Sequence, residues 1–303
     1  MSGRLIHPNW GKAPERITDG FSLEMTAKDI SSLRAAAPSI PLETPIAVTF
    51  LPSEDAEARI EATVAVRKLG FEPMPHFSAR RITSALEFED YLYAVVSRAG
   101  VRRCFVVAGD PAEPQGPYSE SMALIGSGVF EAAGVTAIGI GGHPEGHPIM
   151  SEAQCWAVLD EKIAAIDARG MAPLIVTQFA FDADPVLRWL GALRARGIDA
   201  PVRIGIPGPA GIKRLLKFAT HCGVGASASV MKKYGVSIAN LLGNAGPDKL
   251  VESFAAQLGD MHGMVRLHFY PFGGLTATVD WINGYALKHN AARERRSIAA
   301  GLD

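Results

Sequence analysis

Residues 46–77 read IAVTFLPSEDAEARIEATVAVRKLGFEPMPHF. A short apolar run, IAVTF (46–50), gives way to turn residues and then to a segment whose apolar positions fall at i, i+3, i+4 and i+7. A second short run, EPMPHF (72–77), follows. Short apolar runs bounded by turn signals fit buried strands, and the period of the middle segment fits an amphipathic helix. The stretch therefore reads as one strand–helix–strand unit. The same unit recurs along the chain, through FSLEM (21–25), CFVVAG (104–109), AIGIGG (137–142), LIVTQ (174–178), RIGIPG (203–208) and VRLHFY (265–270), with helical stretches such as SALEFEDYLYAVVSRAG between them. Eight such units in about 280 residues predict an α/β protein of the (β/α)8 TIM-barrel type. An open doubly wound sheet would usually carry fewer strands and a glycine-rich first turn, and no G-x-G-x-x-G follows the first strand here. The expected organisation is a single domain: an N-terminal extension over 1–20, the barrel over 21–290 and a helical tail over 291–303.

Composition narrows the partners. The 303-residue chain is 48% hydrophobic, which supplies a large core. Thirty Lys+Arg against 31 Asp+Glu leave a net charge of −1, without the electrostatic footprint that nucleic acid or anionic membranes select. Cys104, Cys155 and Cys222 are odd in number, widely spaced and form no CxxC pair, which argues against a disulfide framework and a structural zinc site and for a reducing cytoplasm. The first twenty residues lack the apolar core of a signal peptide. Only 122–142 approaches membrane-spanning length, and Glu131 with the glycines makes it helix, turn and buried strand instead. The expected partner is a small molecule, with a homo-oligomer left open.

Active sites of this barrel class gather at the C-terminal ends of the strands. Polar residues stand there in numbers: Glu24, Thr49, His76, Asp110, His143 and His147, Gln178, and His268 with Tyr270. The loop GGHPEGHP (141–148) sets His143 and His147 four residues apart, but Pro144 and Gly146 break the helix that would bring them onto one face as metal ligands. A ligand-binding loop and a structural turn both remain open for it.

SLEM (22–25), VAGDP (107–111), GGHPEGHP, LIVTQFAFD (174–182) and LHFYPF (267–272) together resemble, in order, the motifs of the methylenetetrahydrofolate reductase family, which are flavin-containing barrels. The resemblance covers nearly the whole chain. It implies interconversion of 5,10-methylene- and 5-methyltetrahydrofolate, with FAD and NADH or NADPH as cofactors. Glu24 would be the general acid that protonates N10 of the folate, and partial burial among Phe21, Leu23 and Met25 could help it keep its proton. Asp110 would tune the charge of the flavin or pterin, or else cap a helix in GDPAEP. Gln178 would bind the pterin through its amide, with Ile212 in place of the family's aromatic substrate contact. Flavin contacts would fall to Thr49, His76, Gly109, Asp110, His143, His147 and Lys162. For Thr49, His76 and Asp182 functional and structural readings are equally open.

The departures from the family pattern cluster on the flavin side. TFLPSE replaces a glycine-rich turn after the second strand, Ala108 replaces an arginine, His143 a tyrosine, and Gly273-Gly274 an Asn-Arg pair. The spacing from Lys162 to Gln178 is also long. Two alternatives follow: a flavin-independent enzyme with direct hydride transfer from a nicotinamide, and a non-redox folate-binding or partner subunit of a one-carbon complex.

Overall fold

A computed structural model describes residues 16–52, 54–222, 234 and 244–300, apart from the side chains of 221, 222, 244 and 290–300. The Cys222 side chain, most of the N-terminal extension and residues 301–303 of the tail lie outside that description. Eight parallel strands close into a barrel: β1 Ser22–Met25, β2 Pro45–Val48, β3 Glu72–Ser78, β4 Arg103–Val107, β5 Ala137–Gly142, β6 Ala172–Phe179, β7 Val202–Pro207 and β10 Val265–Tyr270. Each pairs with its sequence neighbour in the barrel, and β10 closes the ring on β1. Between β7 and β10 lies a small antiparallel pair, β8 Ala210–Gly211 with β9 Asn244–Ala245.

The helices are α1 Ile30–Ala36, α2 Ala56–Lys68, α3 Ala85–Ala99, α4 Ser121–Ile125, α5 Val129–Ala132, α6 Glu152–Ala168, α7 Ala183–Ala195, α8 Ile212–Cys222, α9 Asp248–Gln257 and α10 Leu275–Ala300. Local chemistry sets their ends. Asp55 caps α2 by accepting from the Ala58 N–H, and Ser84 caps α3 by accepting from that of Glu87. Gly100, at φ 58°, ends α3 in the left-handed conformation that glycine adopts without strain. The buried residues of α3, Phe88, Tyr91, Leu92, Val95 and Ala99, keep the three- and four-residue spacing of one helical face. α10 runs without a break across residue 290.

Strand alternation divides the core in two. Leu23, Met25, Ile46, Val48, Phe77, Val106, Ile140, Ile204 and Phe269 belong to the large cluster shared with the helices. Ala47, Met74, Phe105, Leu174 and Val176 form a separate small cluster from the opposite faces of their strands, filling the barrel interior. Among the described residues no helix is long and apolar enough to cross a membrane.

Candidate active site

Glu24 lies on β1 with its side chain about one-fifth exposed. Leu23 and Met25, its chain neighbours, belong to the outer core, so the alternation of the strand sends them away from the carboxyl group they were expected to surround. Two imidazoles flank Glu24 instead. Its Oε2 is 3.7 Å from His76 Nε2 and 3.8 Å from His268 Nε2. His76, on β3, packs against Phe105 with ring centroids 4.7 Å apart, and burial pushes it down to about 4. His268 is 1% exposed and is likewise pushed down by burial, with Arg203 of β7 acting in the same direction and Glu24 against it. Both rings are therefore neutral near pH 7. Ser22 Oγ stands 2.8 Å from His268 Nδ1.

Asp110 follows β4 and does not cap a helix, since none begins between it and Ser121. Its carboxylate pairs with the guanidinium of Arg81, a buried residue in the single turn after β3. The adjacent Arg80 donates to the carbonyls of Ser119 and Pro111, so two consecutive arginines hold the loop that carries Asp110. Gly109 sits at φ 95°, and a Cβ there would come within 2.1 Å of Ser78 Oγ, so the residue before Asp110 must be glycine.

Gln178 is placed by an irregularity in β6. The register with β7 slips between Val176 and Phe179, so one extra residue is accommodated where the strand reaches the rim. The Tyr270 hydroxyl donates to the Thr177 carbonyl at 3.0 Å, and the Gly205 N–H donates to Thr177 Oγ1 at 2.9 Å, pinning that slip. Gly205 must lack a side chain, because a Cβ would stand 2.7 Å from the Thr177 carbonyl oxygen.

His143 and His147 meet edge to face, 4.8 Å between ring centroids. Burial, then His147, then the Lys162 ammonium push His143 down to about 4, and burial followed by Lys162 lowers His147. Lys162, on α6, is itself lowered by burial. The fold thus brings this lysine to the two histidines despite its long spacing to Gln178. Thr49 Oγ1 and Ser78 Oγ are buried at the ends of β2 and β3 without a hydrogen-bond partner among the described residues. These two hydroxyls, with the His143–His147–Lys162 group, are the polar set that could hold a hydrogen-bonding, anionic cofactor.

Ile212, the first residue of α8, is buried in the outer core, and Asp182 caps α7 by accepting from the Asp184 N–H. The residues that sequence reading did not single out are Ser22, Ser78, Arg81 and Arg59. Ser22 had a signal, standing two positions before Glu24 and hence on the same strand face. Arg81 had none, because Asp110 is twenty-nine residues away, and Arg59 had none, because no linear pattern marks which ring across the loop a guanidinium will cover. The Arg59 guanidinium lies 3.5 Å over the Phe50 ring, and Glu54 accepts from the Ala27 N–H, which ties down the loop that lacks the family's glycines.

Residues 34–279 match the profile of the family described as methylenetetrahydrofolate reductase. A curated relative, 5,10-methylenetetrahydrofolate reductase of Pectobacterium carotovorum subsp. carotovorum, is 28% identical over 183 residues, covering 59% of this chain and 58% of that protein. Methylenetetrahydrofolate reductase (NADH) 1 of Arabidopsis thaliana is 24% identical over 66% of this chain and 35% of its own length. Methylenetetrahydrofolate reductase 2 of Saccharomyces cerevisiae is 37% identical over 70 residues, 23% of this chain and 11% of that protein. The chain thus spans less than two thirds of each of these relatives. Among solved structures, dihydropteroate synthase from Thermus thermophilus shares the fold, with a TM-score of 0.50 at 14% identity over 90% of this chain and 94% of that one.

Proposed function

The chain belongs to the methylenetetrahydrofolate reductase family, and from that premise we propose that it is an oxidoreductase of one-carbon metabolism interconverting 5,10-methylene- and 5-methyltetrahydrofolate. The observation that carries the reading is Glu24, a carboxyl group on the first barrel strand between two neutral imidazoles. In the reductive direction Glu24 gives its proton to N10 of the folate. The five-membered ring opens to an N5 iminium cation, and hydride converts that carbon to a methyl group. Gln178 offers both a donor and an acceptor to the pterin, and Asp110, fixed by Arg81, supplies a negative charge on the same rim.

FAD, when bound, supplies the hydride, which NADH or NADPH replenishes. The residues that would hold it are Thr49, His76, Gly109, Asp110, His143, His147 and Lys162, and the buried hydroxyls of Thr49 and Ser78 fit such a group. Ala108 offers no guanidinium, and the β2–α2 loop is tied by Arg59 rather than opened by glycines. The flavin is therefore held weakly, each missing hydrogen bond costing about 1 kcal/mol. The test is the visible spectrum of the dialysed protein, with folate turnover assayed with and without added FAD. Little bound flavin and turnover that rises on adding FAD are expected. Turnover with a nicotinamide alone would favour direct hydride transfer, and folate binding without turnover would favour the non-redox role. In Glu24→Gln, turnover should fall by about 10² or more with folate binding weakened less. Near-normal turnover would remove Glu24 from the acid's role.

A further inference from the structure

Ser22, Glu24 and His268 are brought together by register alone. Ser22 and Glu24 are two apart on β1 and share its inward face, and Ser22 is the direct Cα partner of His268 on β10. Ser22 has one hydroxyl proton. Ser22 Oγ reaches the Leu267 carbonyl at 3.5 Å and stands 2.8 Å from His268 Nδ1, a contact whose donor is set by the tautomer of the ring. The other ring nitrogen, Nε2, faces Glu24 Oε2 at 3.8 Å, and it carries a lone pair when Nδ1 holds the ring's proton. His76 Nε2 faces the same oxygen from β3.

We propose that Ser22 and His268 are positioning residues for the acid step, with Ser22 locking His268 in the Nδ1–H tautomer so that Nε2 serves as the acceptor that keeps the transferable proton on Glu24. The inference rests on the reading of Glu24 as general acid. In the Nδ1–H tautomer two lone-pair acceptors, an imidazole nitrogen and a carboxylate oxygen, face each other 3.8 Å apart in a buried setting, and a proton on the carboxyl group relieves the conflict. The ring does not take the proton itself, because it is buried to 1% exposure among groups of mixed charge: Glu24 on β1, Arg203 on β7 and the Tyr270 ring on its own strand, with His76 across the carboxyl group. When Glu24 transfers its proton to the folate nitrogen, the O–H bond breaks and the N–H bond forms. The carboxylate left behind is re-protonated from solvent, since Glu24, unlike His268, is partly exposed.

The test combines a spectroscopic and a kinetic measurement on the full chain. Long-range ¹H–¹⁵N correlation of histidine-labelled protein, with the His268 signals identified by their loss in His268→Gln, reads the tautomer directly. The wild type should show Nδ1 protonated and Nε2 bare at neutral pH, and Ser22→Ala should shift the ring toward the other tautomer. In Ser22→Ala the basic limb of the pH–kcat profile should move down by about one pH unit, roughly a tenfold loss above it, while KM changes little. Ser22→Thr, which keeps the oxygen, should restore the profile. A wild-type ring protonated on Nε2, or an unchanged profile in Ser22→Ala, would overturn the inference while leaving the reductase reading intact. Unimpaired turnover in Glu24→Gln would instead defeat the reading beneath it, and the pair's catalytic use with it.

Discussion

Arg81 shows how much of the site depends on a residue that does not face the chemistry by type. Asp110 is well exposed, and its position is fixed by a buried guanidinium from the neighbouring strand's exit. If Arg81 acts only through Asp110, the two form one functional unit and their substitutions are not additive. Asp110→Ala and Arg81→Ala should each weaken folate binding to a similar degree, and the double variant should be little worse than either. Additive losses in a titration of the four proteins would show that Arg81 has a separate role. Gln178→Ala tests the rim two strands further round the barrel, on β6, and should weaken binding by about 1–3 kcal/mol, the cost of leaving the pterin's partnered groups unmatched. Unchanged affinity would take Gln178 out of the pocket. Asp110 and Gln178 were legible in the sequence because each ends an apolar run; Arg81 was not, since nothing in a linear pattern marks the partner of a side chain twenty-nine residues away.

At the scale of elements, glycine placement separates contact from flexibility. Gly273, between β10 and α10, lies so close to Pro209 that a Cβ would stand 1.9 Å from its carbonyl oxygen. The Phe272 carbonyl just before it accepts from Arg214 of α8 at 2.9 Å. The Gly-Gly pair that departs from the family's Asn-Arg thus allows the β10–α10 loop to pack directly on the segment after β7. Gly273→Ala should cost about 1–3 kcal/mol through forced backbone displacement. Gly191→Ala, inside α7 with nothing within 4 Å of the added carbon, should gain about 0.5–1 kcal/mol. Urea unfolding of both variants checks the contrast, and equal effects would show that the packing at Pro209 is soft. The eight strands were readable from apolar runs because each is buried on its outer face, and α2 and α3 from their period and caps. The slip in β6 was not, because a one-residue irregularity in register leaves the composition of TQF unchanged.

The whole molecule carries its buried histidines as a pH liability. His76 and His143 are both held at about 4 against an ordinary 6.5, with burial the leading cause. Above 6.5 both folded and unfolded chains leave them neutral, and stability does not depend on them. As pH falls from 6.5 toward 4 the unfolded chain takes up protons that the folded one refuses, so stability is lost across that window, by about 2–3 kcal/mol for a residue as enclosed as His76. Unfolding measured at pH 7 and pH 4.5 should show a smaller pH-dependent loss in His76→Gln than in the wild type; an equal loss in both would place the acid sensitivity elsewhere. By itself the sequence determined the barrel, because hydrophobic burial repeats at strand and helix periods that local chemistry punctuates. It also determined which polar residues stand at the strand ends, because those positions follow directly from the runs. Only the tertiary structure decided what surrounds them. Strand alternation turned Leu23 and Met25 away from Glu24, and the pairing of β1 with β10 brought Ser22 and His268 to it. Closure of the ring sets such neighbours: residues 246 positions apart become adjacent only when the last strand hydrogen-bonds to the first.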